Sequence, residues 1–162
     1  MKKFIILCAL TVSVVAVKAD EPFFQASLTP DIAIHDKGTR ISGICLSIWG
    51  ENPQSAFALG FVNGSSGDSK GFSLGLVNYS ETYTGMDLGF VNWSKEKFIG
   101  VQCGPVNVTK EFHGLQLGIV NYSEETKNGV QIGLVNISMN NPWFKEFPDK
   151  LATGFPFVNW SF

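Results

Sequence analysis

The sequence predicts an all-β fold built from repeats, and three observations carry that expectation. One phrase, Gly-x-x-x-Gly-x-Val-Asn, returns along the chain at near-constant spacing. Within each copy bulky apolar residues alternate with small or polar ones, the period of an extended strand. Each copy also places two glycines within five residues, a density that penalises a helix. A short unit recurring in this way is read before any single residue is weighed.

The fullest copy is Gly114-Leu115-Gln116-Leu117-Gly118-Ile119-Val120-Asn121, with intact relatives at 71–78, 85–92, 100–107 and 129–136. Ala56 leads a worn copy at 56–63, and degraded copies lie at 43–50 and 152–159. With the first glycine as slot zero, slots one, three and five hold Phe72, Leu74 and Leu76, or Val130, Ile132 and Leu134. Slots two and four hold Ser73 and Gly75, or Gln131 and Gly133. One face of each strand is therefore bulky and apolar, the other slim and polar.

Asparagine ends the units at 63, 78, 92, 107, 121 and 136, so the spacings run 15, 14, 15, 14, 15. In an antiparallel meander odd and even links lie at opposite ends of the sheet, so the alternation suggests a hairpin period of 29 residues. A flattened solenoid with two strands per coil has the same period. Most charge sits in the links, at Glu81, Lys95, Glu96, Lys97, Lys110, Glu111, Glu124, Glu125 and Lys127.

The flanks of the repeat array read differently. Met1-Lys2-Lys3, an apolar run over 4–17 and Lys18-Ala19-Asp20 describe a secretory signal peptide over 1–19, cleaved after Ala19. The apolar run is shorter than the ~18–20 residues of a spanning helix, and Leu7 before Cys8 does not suit a lipoprotein site. Residues 20–162 then form a single β-repeat domain. The leader holds three of the 12 basic residues and none of the 14 acidic ones, so the mature chain carries a net charge of −5. An acidic chain without a Lys/Arg cluster argues against nucleic acid as a partner. Residues 23–34 alternate as a half-buried strand, with Pro30 confining it to an edge or bulge. After Met139 a long aromatic loop precedes the closing segment 154–162.

Candidate sites are few. Every repeat asparagine from 63 onward opens an Asn-x-Ser/Thr triplet, readable as a glycan array or as strand-end turn chemistry; the fixed phase favours turn chemistry. Gln102, Gln116 and Gln131 share slot two and suit a hydrogen-bonded ladder between neighbouring strands. Tyr79, Trp93, Tyr122 and Trp160 each follow an asparagine, placed for an interfacial girdle, a carbohydrate platform or simple packing. Cys45 in slot two and Cys103 in slot three point to opposite faces, which disfavours a disulfide. His35 and His113 lie in links with no repeated ligand beside them, and Asp87 fits a solvated or lumenal face. No metal spacing, nucleophile elbow or phosphate loop appears. The expectation is a non-enzymatic protein with no catalytic, metal-binding or cofactor-binding residue.

The Gly-Leu-Gln-Leu-Gly-Ile-Val-Asn and Gly-Val-Gln-Ile-Gly-Leu-Val-Asn units, Leu28-Thr29-Pro30, and the ending Phe155-Pro156-Phe157-Val158-Asn159-Trp160-Ser161-Phe162 resemble a bacterial family of surface-repeat proteins. That resemblance covers nearly all of the mature chain and implies export and a place at the cell envelope, with no activity attached. The terminal Phe162, with Trp160 and Val158 on the same parity, is similar to the last strand of bacterial outer-membrane barrels. A fainter likeness, through Gln116-x-Gly118-x-x-Asn121-x-Ser123, is to curli-type fibre subunits.

Three architectures compete. The first is an antiparallel meander closing into a β-barrel of about 8–10 strands at the outer membrane, slots one, three and five facing lipid. Its apolar slots span only ~16 Å before tilt, against the ~25 Å lipid-facing band of such barrels. The second is a two-strand-per-coil β-solenoid with Leu and Phe inside, serving adhesion or carbohydrate binding. The third is a small soluble barrel carrying a ligand. The barrel ranks first, and the function expected is a structural or interaction role at the outer membrane or cell surface, with a surface ligand or glycan as further partner.

Overall fold

The structure, a computed structural model, describes residues 21–162; the leader and its cleavage point lie outside the described residues. Eight strands form one sheet: β1 (Phe24–Thr29), β2 (Ile32–Ala33), β3 (Ile44–Glu51), β4 (Ser55–Leu74), β5 (Val77–Leu88), β6 (Val91–Cys103), β7 (Val106–Ser138) and β8 (Gly154–Ser161). From β3 to β7 each strand pairs in parallel with the next, one repeat further along the chain. Asn78 lies beside Asn92, Gly85 beside Gly100, and Asp87 beside Gln102. The chain is thus a β-solenoid of about five turns, the second of the expected architectures, but each coil holds one repeat of 14 or 15 residues and not the expected 29-residue pair, since neighbouring repeats lie directly on one another.

The closed antiparallel barrel is corrected. The strand order runs from β2 at one end to β8 at the other without closing. The spacing alternation has a different cause from hairpin links. Two residues, Ser66 and Gly67, occupy one bend of the coil, a single Glu81 occupies it in the next, then Lys95 and Glu96, then Lys110 alone. Wide and narrow versions of one bend alternate along the stack, and each absorbs one residue as a bulge does.

Each coil bends at two further places. Pairing breaks at Gly75-Leu76, Gly89-Phe90 and Gly104-Pro105, between the named strands. Four slot-zero glycines, Gly71, Gly85, Gly100 and Gly114, turn the chain with positive φ, 135° at Gly100. A Cβ on Gly100 would meet the carbonyl oxygen of Gly85 in the coil below, and one on Gly104 would meet that of Gly89. The glycines therefore set how closely coils stack. Pro105 does not mark an edge, as its departure from the repeat suggested. It sits at the Gly104 bend in mid-stack, where Val106 N–H donates to the Phe90 carbonyl.

The polarity of the solenoid is the reverse of the expected one. Asn63, Asn78, Asn92, Asn107, Asn121 and Asn136 are buried, with Gln102, Gln116, Gln131, Ser80, Ser94 and Ser123. Slots three and five instead face outward. Asn63 Nδ2 donates to Asn78 Oδ1, and the relay continues through Asn92, Asn107 and Asn121 to Asn136 at 2.8–2.9 Å per step. Each Nδ2 from Asn63 to Asn121 also donates to a slot-three carbonyl of the next coil, as Asn107 does to Leu117 at 3.0 Å. The glutamines form a second ladder of opposite sense, Gln131 donating to Gln116 and Gln116 to Gln102, both at 2.8 Å. Tyr83, Phe98 and Phe112 supply the aromatic part of the interior, the first two rings stacked 5.8 Å apart.

Both ends of the stack are closed by the chain itself. At the first, β2 folds back antiparallel on β1 across a register shift at Ser27/Thr29, just after which Pro30 follows, the edge placement expected for this proline. At the other, 152–159 does not continue as another parallel coil. It turns over as β8, antiparallel to β7, and the preceding loop covers its outer edge through Leu151 N–H to Trp160 O and Phe162 N–H to Asp149 O. Asn136, the last of the ladder, donates to Phe155 O instead of to another asparagine.

Two stability outcomes follow from this packing. Gly100→Ala should lower unfolding free energy by more than ~3 kcal/mol, since strain at positive φ adds to backbone overlap; chemical denaturation measures it. Asn107→Asp removes two donors and buries a carboxylate among carbonyls, so a loss of at least ~3 kcal/mol is expected at pH 7. If that variant melts within 2 °C of the parent, the ladder does not hold the coils together.

Candidate interaction surface

Period-two alternation, with the polar set turned inward, leaves the bulky set outside. At the Gly-x bend, slot five projects Ile48, Phe61, Leu76, Phe90, Ile119 and Leu134, with Phe61, Phe90 and Leu134 59%, 63% and 61% exposed. On one side of this ridge lies the slot-three column, with Leu46, Leu59, Leu74 and Ile132 exposed and Leu88, Cys103 and Leu117 between them half-buried. Beyond it Phe57 and Phe72 stack with ring centroids 5.1 Å apart and planes within 3°. On the other side come the slot-six valines and then Trp93, 46% exposed. Two apolar flanks meeting in a ridge run along the stack, with apolar exposure larger than scattered surface residues give.

The third side of the coil is charged. Glu111 accepts from Lys97 at 2.8 Å, from Lys127 at 2.9 Å and contacts His113 at 3.0 Å. Those hydrogen bonds, Lys97 first, hold its carboxyl down at about 2. Lys110 pairs with Glu96 one coil below at 2.7 Å. These exposed pairs contribute modestly to stability, and they mark the side of the coil that water covers.

The boundary between apolar flank and charged side carries aromatics with polar tips. Tyr79 lies beside Trp93 on the neighbouring coil, and Tyr79 Oη donates to Glu51 at 2.6 Å while accepting from Trp49 Nε1 at 3.1 Å. Lys95 Nζ stands 5.8 Å from the Trp93 ring centre. Trp160 belongs to β8 at the far end and donates to Pro148 O. Tyr79, Trp93 and Tyr122 thus share one rim, and Trp160 is apart from them.

Other expected positions resolve as follows. The repeat asparagines are buried and hydrogen-bonded through Nδ2, so the glycan-array reading fails on access; the ladder between coils replaces simple turn chemistry as their main role. Gln102, Gln116 and Gln131 form the expected ladder. Cys45 is buried and Cys103 partly exposed, both free thiols, and burial pushes the Cys45 thiol up to about 11. His35 donates its backbone N–H to Gln25 in the end cap. Among the described residues no three His, Cys, Asp or Glu side chains cluster as metal ligands.

Asp87 is the exception inside the stack. Of the solvated and lumenal faces expected for it, it takes the inward one, buried and in register between Ser73 and Gln102. One methylene shorter than glutamine, it leaves Gln102 Nε2 without a partner at the end of the ladder. Burial raises its pKa to about 7, and the hydrogen bond from Ser73 opposes this.

No protein-family model, curated protein or solved structure matches the chain.

A carboxyl raised from its unfolded value of ~4 to about 7 favours the fold in its protonated form. That contribution is complete below about pH 4 and is lost as pH rises through about 7. Asp87→Asn keeps the shape without the charge, so at pH 8 it should gain on the order of 2–4 kcal/mol and flatten the pH dependence between 4 and 7. Urea titrations at pH 4, 6 and 8 read both effects.

Proposed function

We propose that this chain is a non-enzymatic repeat protein of the cell envelope or cell surface, working as an interaction module through its two apolar flanks. The single observation that carries the reading is the reversed polarity of the coil. The polar side chains that could recognise a solute or do chemistry are spent on the interior ladders. What the protein offers its surroundings is a set of exposed Leu, Phe, Ile and Val side chains along the stack, interrupted at the coil of Cys103 and Pro105. A folded domain that keeps such a surface in contact with water is poorly soluble, so the flanks are built to be covered. The leader pattern and the resemblance to surface-repeat proteins support an exported location.

The carbohydrate reading draws less support. Lys95 sits over the Trp93 ring, and the Tyr79 hydroxyl is engaged by Glu51 and Trp49. Flat aromatic faces free to stack on a sugar ring are few along this rim.

Separation of cell envelope from soluble fractions tests the proposal. The protein is expected in the envelope fraction, released by detergent and not by 1 M salt, because apolar contacts are insensitive to screening. Recovery in the soluble fraction as a monomer would sink it. A Phe61→Glu, Leu76→Glu double variant should move at least half of the protein to the soluble fraction while keeping its β-type circular dichroism.

A further inference from the structure

The occupant of the apolar flanks can be argued from their shape. The flanks are not a flat sheet face or a groove. They meet at the Gly-x bend, where Phe61, Leu76, Phe90, Ile119 and Leu134 are more exposed than most of the column behind them. The surface is a convex ridge about five coils long, or roughly 25 Å at ~4.8 Å per coil. Each flank is ~15 Å wide, some 400 Å² in all, by the same strand geometry.

A second copy of the chain covers such a ridge badly. Two convex ridges touch along a line, and packing flank on flank buries ~400 Å² per partner where a stable interface needs ~800 Å². Such a dimer also leaves the second flank of each copy in water. End-to-end association is blocked as well, because β2 and β8 turn antiparallel at the two ends of the stack. A fluid apolar medium has neither difficulty, since acyl chains conform to both sides of a wedge at once.

The order of residues around the coil matches the depth profile of a bilayer surface. The ridge is apolar. Next to it, at slot eight, come Tyr79, Trp93 and Tyr122, side chains that favour the headgroup level because one end is greasy and the other polar. The charged bend follows, with Glu81, Lys95, Glu96, Lys110, Glu124 and Glu125. Lys97, Glu111 and Lys127 then lie on the side opposite the ridge, paired with one another. From these observations we infer that the partner of the apolar flanks is a lipid bilayer. The solenoid lies along the surface with its Gly-x ridge sunk among the acyl chains and its charged side in water, a monotopic attachment that does not span the membrane. The inference rests on the reading of the flanks as an interaction surface and names what covers them.

Because the ridge carries no charge, attachment should need no anionic lipid and should persist in salt. The test uses the full chain with Trp49, Trp143 and Trp160 replaced by Phe, so that Trp93 alone reports. The leader contains no tryptophan, so the emission is read at Trp93 alone, and replacements on the ridge separate its contact with lipid from tethering by the leader. The chain is mixed with phosphatidylcholine vesicles that carry bromine on the acyl chains. Trp93 emission is expected to shift to the blue and to be quenched, equally at 0.1 and 1 M NaCl. Adding Phe61→Ser, Phe90→Ser and Ile119→Ser should lower the partition coefficient read at Trp93 on the order of 100-fold, with the circular dichroism of the fold unchanged. Quenching that survives these three replacements, or none in the parent, would overturn the inference. A parent that ignores vesicles but dimerises in buffer through the ridge overturns the lipid partner and leaves the interaction surface standing. A parent that ignores vesicles and stays monomeric and soluble overturns both.

Discussion

The asparagine relay is the constraint on which the other features depend. Stacking coils in parallel brings the same residue of every repeat into register, so whatever sits inside must tolerate a copy of itself one strand spacing away. An asparagine does so by donating to the next coil and accepting from the previous one. From Asn63 to Asn121 each Nδ2 also donates to the carbonyl beside the Gly-x bend of the following coil, as between Asn121 and Ile132. One side chain thus ties two coils together and pins the bend that shapes both. The buried asparagine amides find partners within the stack, which is the condition for burying them at all.

That arrangement decides the outside of the molecule as well. A coil of 14 or 15 residues with three bends encloses a narrow interior, and glycine, serine and amide groups fill it at close backbone approach. Leucine and phenylalanine columns do not fit beside them, except where Tyr83, Phe98 and Phe112 take the widest part. The bulky set is therefore driven outward by lack of room inside. A surface that hydrophobicity alone would bury is left exposed, which ties the physics of the interior to the role proposed at the envelope.

The two ends and Asp87 show where the repeat gives way. Ser47 meets Asn63 Oδ1 at 3.2 Å at the start of the ladder, and Asn136 turns to a β8 carbonyl at its finish. Between these caps a single acidic residue stands in a glutamine column, where the low dielectric favours its neutral form. Such a position weakens the fold at neutral pH without any contact to the surface.

Much of this was legible in the sequence. Period-two alternation and the glycine-asparagine phrase determined the all-β character, the phase of the repeats, the glutamine ladder, the opposite facing of Cys45 and Cys103, and the edge position of Pro30. They did not determine the strand ends: the breaks fall inside the phrase, as at Gly75-Leu76, and links such as 79–84 are themselves strand, because pairing between coils carries extended backbone through the polar stretches. The pattern states which residues share a face but not which face is inside: the barrel put the bulky slots outward, the solenoid put Leu and Phe inside, and only the second assignment pointed the wrong way. The alternating 15 and 14 spacing was equally silent on direction, since hairpin links and an alternating one-residue bulge at Glu81 or Lys95-Glu96 count the same. Only the tertiary structure decided those two matters. The choice between parallel and antiparallel neighbours, and between greasy and slim interiors, depends on how closely one coil can lie on the next. That distance is set by contacts such as Gly104 on Gly89, between residues a full repeat apart.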